Sequence, residues 1–97
     1  QDYDESAVTR RMMLHAWYAR FGSDFVRLHS IGMNPFEGEQ SEQWNEAYAR
    51  VCERDGRIKP NILRYWLRDE KGRWEDGMCF ESRISRTNAS EWRVVKK

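Results

Sequence analysis

Residues 59–68 restrict the fold of this chain more than any other segment, because they divide into an apolar and a polar face of one predicted helix. The polar side chains recur at i, i+3, i+4 and i+7, the spacing of a single stripe along a helix. The apolar set is Ile62, Leu63, Trp66 and Leu67, and the polar set is Asn61, Arg64, Tyr65 and Arg68. Asn, Arg and Tyr reach phosphates and base edges, so the stripe suits a helix that lies along a nucleic-acid groove. The alternative is an ordinary solvated helix face.

The length and composition predict one small folded domain. The 97 residues are too few for two independent cores, and 39% hydrophobic with 13% aromatic residues is typical of a globular chain. No apolar run approaches the roughly 18 residues of a membrane span, and no signal-peptide pattern opens the sequence. We therefore expect a cytoplasmic protein with no membrane partner. Because the chain begins with Gln1 instead of Met, we also expect a processed protein or a segment cut from a longer one.

The charged residues are unevenly distributed along a chain whose formal net charge is only +1. Residues 1–50 carry 5 basic and 8 acidic side chains, whereas residues 51–97 carry 12 basic and 8 acidic ones. A basic second half is a modest electrostatic footprint for a polyanion, and it favours weak or assisted nucleic-acid binding. Chance is the alternative explanation for the excess.

The sequence offers no pattern for catalysis, metal binding or a cofactor. Cys52 and Cys79 lie far apart, and His15 and His29 do not complete a zinc pattern with them. We expect two buried, reduced thiols, with a single disulfide as the alternative. The chain has no phosphate-binding Gly-rich loop with Lys and Ser or Thr, and no nucleophile motif with a partner His. These observations predict a domain without enzymatic activity of its own.

A first helix is predicted over about residues 4–20, because apolar side chains recur there at helical spacing. Its apolar face comprises Val8, Met12, Leu14, Ala16, Trp17, Tyr18 and Phe21. Gly22 is its natural stop. Residues 25–28 read as a short strand or as the approach to another helix, and residues 31–40 read as an inserted loop with Gly, Asn and Pro.

Two further helices follow. One begins at Ser41 as N-cap, carries an apolar stripe and ends at Asp55-Gly56. The stripe comprises Trp44, Ala47, Tyr48, Val51 and Cys52. Pro60 fits the first position of the next helix, which must end by about Lys71-Gly72.

The remaining residues predict a β-hairpin with strands at 78–86 and 91–96 and a turn at 87–90. On these strands Met78, Phe80 and Ile84 share one face, and Trp92 and Val94 share one face. The order helix, short strand, helix, helix, hairpin is that of a winged helix-turn-helix, an α+β fold. In that fold the third main helix enters a groove and the hairpin, called the wing, contacts the backbone beside it.

This fold class predicts which side chains contact DNA, whether single- or double-stranded. The candidates are Lys59, Asn61, Arg64, Tyr65, Arg68, Arg73, Arg83, Arg86, Asn88, Arg93 and Lys96. Two alternatives stay open for the helix. Tyr65 caps the core instead, or Arg64 pairs with Asp69 or Glu70.

Four stretches of the chain are similar to the C-terminal domains of phage- and plasmid-type replicative helicases and primase-helicases. They are residues 17–22 (WYARFG), 61–68 (NILRYWLR), 72–81 (GRWEDGMCFE) and 91–95 (EWRVV). The resemblance spans about residues 14–95, and the loop at 31–40 departs from the compact pattern of that family. It implies an accessory domain that binds or positions DNA for a mobile-element replication protein, with other helicase or primase subunits as further partners. A protein-docking module of a replisome and a small transcriptional regulator are the alternatives.

Overall fold

The computed structural model describes residues 4–33 and 41–97, which form an α+β structure. Its helices are α1 (Glu5–Phe21), α2 (Leu28–Met33), α3 (Ser41–Cys52) and α4 (Ile62–Glu70). Its strands are β1 (Val26–Arg27), β2 (Glu53–Arg54), β3 (Arg57–Ile58), β4 (Met78–Ile84) and β5 (Ser90–Lys96). The predicted loop at 31–40 begins too early, because residues 31–33 close α2, and the rest of that loop lies outside the described residues.

The first helix has the ends that its sequence predicts. The Asp4 carboxylate accepts hydrogen bonds from the backbone N–H groups of Ser6 (3.0 Å) and Ala7 (3.3 Å), which would otherwise have no partner inside the helix. At the other end Gly22 has a φ of +63°, and its N–H donates to the Tyr18 carbonyl. A side chain at this φ is strained, so glycine is the residue that ends the helix cheaply.

The connection between α3 and α4 differs from the prediction. Asp55 and Gly56 both have positive φ (+55° and +76°) and form the two-residue turn of a small β2–β3 hairpin. The helix therefore ends at Cys52, before this turn. Pro60 is not the first residue of α4; it lies in a turn whose carbonyl accepts from the N–H of Leu63, and Asn61 is the N-cap residue.

The second half of the chain contributes most of an antiparallel sheet with strand order β1-β5-β4. Val26 of β1 pairs with Trp92 of β5, and Phe80 of β4 pairs with Val94. Phe80, Trp92 and Val94 are buried, as their alternation predicts. Ile84 is on the same face but extends past the core, so 65% of it is exposed. The turn end of the hairpin thus overhangs the core.

Trp17 lies at the centre of the core. It is fully buried, and its ring centroid lies 5.4 Å from that of Phe80 and 5.8 Å from that of Trp44. The indole N–H groups of Trp17 and Trp92 have no hydrogen-bond partner. Both cysteines are buried free thiols, as predicted, and burial raises the pKa of Cys52 to about 11.

An ion-pair network joins the carboxyl end of α4 to α1. The Arg10 guanidinium donates to the Glu70 carboxylate (2.5 Å) and to that of Glu75 (3.1 Å), and the hydrogen bond from Glu70 is the main cause of a raised Arg10 pKa. Glu70 is thereby taken by Arg10, so it is not the partner of Arg64. The network also fixes which face of α4 is turned outward.

Candidate nucleic-acid interface

The polar stripe of α4 is exposed, and the opposite face is buried. Leu63 and Leu67 lie in the core, whereas Arg64 and Arg68 are exposed and Tyr65 is 52% exposed. Both guanidiniums lie near the Tyr65 ring, with their carbons 5.9 Å (Arg64) and 5.3 Å (Arg68) from its centroid. The alternative in which Tyr65 caps the core does not hold. Arg64 makes no ion pair among the residues that the structure describes, so its alternative pairing with Asp69 is not formed either.

The amino end of α4 extends this stripe. Lys59 is exposed, and its backbone N–H donates to the Cys52 carbonyl (2.9 Å), which fixes the chain just before the helix. Asn61 is exposed, and its side chain makes no cap hydrogen bond. Both side chains therefore remain accessible to a ligand that lies along α4.

A half-open cleft of about 580 Å³ joins α4 to the hairpin. It is lined by residues 27–30, Arg64, Ala89 and Ser90. One wall is the helix stripe, represented by Arg64, and the other is formed by the β1–α2 junction and the start of β5. The helix and the hairpin, predicted separately as contact elements, thus meet at one place.

Arg27 and His29 belong to this cleft and were missed by the sequence reasoning. Arg27 donates through Nη2 to the Thr87 hydroxyl (3.1 Å) and through Nε to the Glu91 carboxylate (3.5 Å). These contacts exist because β1 pairs with β5, with Arg27 opposite Glu91. No local pattern in the sequence carries that register. The only available signal was that residues 25–28 were read as a possible strand.

The outer face of the sheet holds two of the predicted contacts in cross-strand ion pairs. Arg83 donates to Glu91 (2.7 Å), and Arg93 lies 2.6 Å from Glu81. Both guanidiniums also lie over the Phe25 ring, at 4.0 Å and 4.5 Å from its centroid. Arg83 remains 57% exposed, so a phosphate can compete for it at low cost.

The other predicted contacts divide by position. Arg86 and Asn88 lie in the exposed hairpin turn, where Asn88 adopts a φ of +62°. Arg73 follows α4 and donates to the Asp69 carbonyl (3.1 Å). The Lys96 ammonium lies over the Tyr18 ring at the end of β5 opposite the turn. The structure does not bring Arg73 or Lys96 into the cleft.

The cluster of cations has one carboxylate within it. Glu91 accepts from Arg83 and Arg27, and these hydrogen bonds, with Arg83 first, hold the Glu91 pKa below its usual range. Glu91 is therefore ionised at neutral pH and partly neutralises the two guanidiniums. As pH falls through the lowered pKa, this pairing and its contribution to folding are lost.

Comparison with known proteins leaves the geometry to stand alone, because the chain matches no protein-family model, no curated protein and no solved structure. The family resemblance of the sequence stays a prediction. Within residues 4–33 and 41–97, no group of three or more His, Cys, Asp or Glu side chains is placed to hold a metal ion. None of the helices in the described part has the length and hydropathy that a bilayer crossing requires.

Proposed function

We propose that this chain is a winged-helix DNA-binding domain that uses α4 and the turn end of the β4–β5 hairpin as one interface. The observation that carries this proposal is the cleft in which Arg64 of α4 faces Ala89 and Ser90 of the hairpin. A groove-binding helix and a neighbouring wing require such an arrangement, since both must reach the same stretch of nucleic acid.

The topology supports the winged-helix assignment. The short strand β1 follows α1 and adds to the edge of the hairpin, giving the sheet order β1-β5-β4. Helices α3 and α4 then form the helix-turn-helix pair, with the β2–β3 hairpin in place of a simple turn. The overhang at Ile84 makes the hairpin project beyond the core, as a wing does.

The electrostatics support modest, salt-sensitive binding. Arg64, Arg68 and Arg86 are exposed and make no ion pair among the described residues, so they are ready to contact phosphates. Arg27 and Arg83 add charge that Glu91 partly cancels. A small number of phosphate contacts suits an accessory domain that positions DNA for a larger enzyme.

We further propose that the domain serves a mobile-element replication helicase or primase in the cytoplasm, where other subunits of that protein are additional partners. The support is the resemblance of residues 17–22, 61–68, 72–81 and 91–95 to the tails of such proteins. The test is the sequence of the parent polypeptide upstream of this segment. A Walker-type nucleotide site is expected there, and a parent without nucleotide-binding or primase motifs contradicts the assignment.

The binding proposal predicts a salt-dependent complex with duplex DNA. With roughly three phosphates contacted, the logarithm of the association constant should fall with the logarithm of salt concentration at a slope of about −3. Fluorescence anisotropy with a labelled duplex and a matched single strand, at several salt concentrations, measures both slope and strand choice. No binding to either ligand at low salt, with capture of protein partners in a pull-down, would instead identify a docking module.

Replacement of Glu91 by glutamine is expected to tighten DNA binding about fivefold, because it releases Arg27 and Arg83 from an exposed ion pair and removes a negative charge. The same anisotropy titration measures the change. Glu46→Gln on the exposed side of α3 is the matched control, since it removes one carboxylate that has no ion pair among the described residues. Equal gains in both variants would show that only net charge matters.

A further inference from the structure

The cleft between α4 and the hairpin is larger than a contact to one backbone phosphate needs. Its volume of about 580 Å³ is in the range of sites that enclose small molecules. Arg27 and Arg64 line it as cations, and Leu28 and Ala89 line it as aliphatic groups. A lining of both kinds suits a sugar phosphate with its base better than a bare anion.

The two guanidiniums are prepared for one phosphate. Glu91 and Thr87 hold Arg27 through Nε and Nη2, and Nη1 makes no hydrogen bond within the described residues. Arg64 makes no ion pair in the same part of the chain, so its planar group is available for a two-point contact with phosphate oxygens. The Ser90 side chain is exposed beside them and adds a hydroxyl donor.

We propose that this cleft receives a single unpaired nucleotide, so the preferred ligand is duplex DNA with a single-stranded extension. This inference rests on the proposed DNA-binding function and names its substrate class. A nucleotide inside a duplex is paired and stacked on both sides, and its entry into a cleft costs the few kcal/mol of base flipping. An unpaired nucleotide beside the duplex does not pay this cost, while α4 still contacts the paired part.

The test compares a blunt duplex with the same duplex carrying an unpaired 3′ or 5′ extension, each titrated with the full chain. One of the extended ligands is expected to bind about tenfold more tightly than the blunt one. Ala89→Leu fills the cleft without changing the charge, and it should abolish this preference and leave blunt-duplex binding unchanged. Ser90→Leu fills the same cleft from the next position, and circular dichroism of both variants identifies the one that keeps the fold.

The outcomes separate this inference from the function on which it rests. Equal affinity for blunt and extended ligands overturns the nucleotide site and leaves the DNA-binding domain intact. A preference that persists in a correctly folded, cleft-filled variant also overturns it, because the extension then binds elsewhere through its added phosphates. Failure to bind any of the three ligands overturns the proposed function itself.

Discussion

A chain with both Arg64 and Arg68 replaced by alanine is expected to bind duplex DNA about 10–100-fold more weakly than the parent. Both side chains are exposed on the one face of α4 that the core leaves open, and Arg64 also lines the cleft. Their removal takes two cations from the centre of the interface, so the salt dependence should also become shallower by about two phosphate contacts. Anisotropy titrations of both proteins at matched salt concentrations measure these changes.

The double variant Arg11→Ala, Arg50→Ala is the matched control. It removes the same charge from α1 and α3, where Arg11 pairs with Glu75 and Arg50 donates to Thr9. This control should bind DNA nearly as well as the parent. An equal loss in both double variants would mean that binding follows net charge, and parent-like binding of the α4 variant would remove α4 from the interface.

Replacement of Trp17 by alanine is expected to cost about 3–5 kcal/mol of unfolding free energy. This is a large part of the roughly 5–15 kcal/mol that holds a domain of this size together. Trp17 is fully buried between α3 and the sheet, with Trp44 and Phe80 against its ring. No flexible neighbour is available to fill the space that its indole leaves. Urea denaturation followed by circular dichroism measures the change without relying on tryptophan fluorescence.

Trp17→Phe is the control that separates packing from hydrogen bonding. The Trp17 indole N–H is buried without a partner, so its loss removes an unpaired polar group as well as some volume. We therefore expect Trp17→Phe to cost clearly less than Trp17→Ala, about 1–2 kcal/mol. A cost as large as that of alanine would show that the indole N–H contributes stabilising contacts in the folded state.

The helices were predictable because their signals are local. The apolar stripe that contains Trp44, the glycine stop at Gly22 and the outward direction of Arg64 each follow from residues within two turns of one another. The β2–β3 hairpin was missed for a related reason. Asp55-Gly56 is a strong hairpin turn, but the strands beside it are two residues long and largely charged, so no alternation marks them.

The candidate site was less predictable because it depends on register between distant strands. The pairing that sets Arg27 opposite Glu91 joins residues 64 positions apart, and no periodicity in the sequence encodes it. The same pairing holds Arg83 on the outer face of the sheet. Ile84 alternates correctly with Phe80 but lies beyond the last residue of the core, which the pattern of one strand cannot show.

The two ends of α4 are held differently, and this affects how the helix can move. Glu70 at its carboxyl end is buried against Arg10, and the next turn is tied to the sheet by the Gly72 N–H donating to the Phe80 carbonyl. At its amino end, Asn61 contributes no side-chain cap. We therefore expect α4 to tilt about Glu70, so that its exposed end adjusts to grooves of different width while the hydrophobic interior stays unchanged.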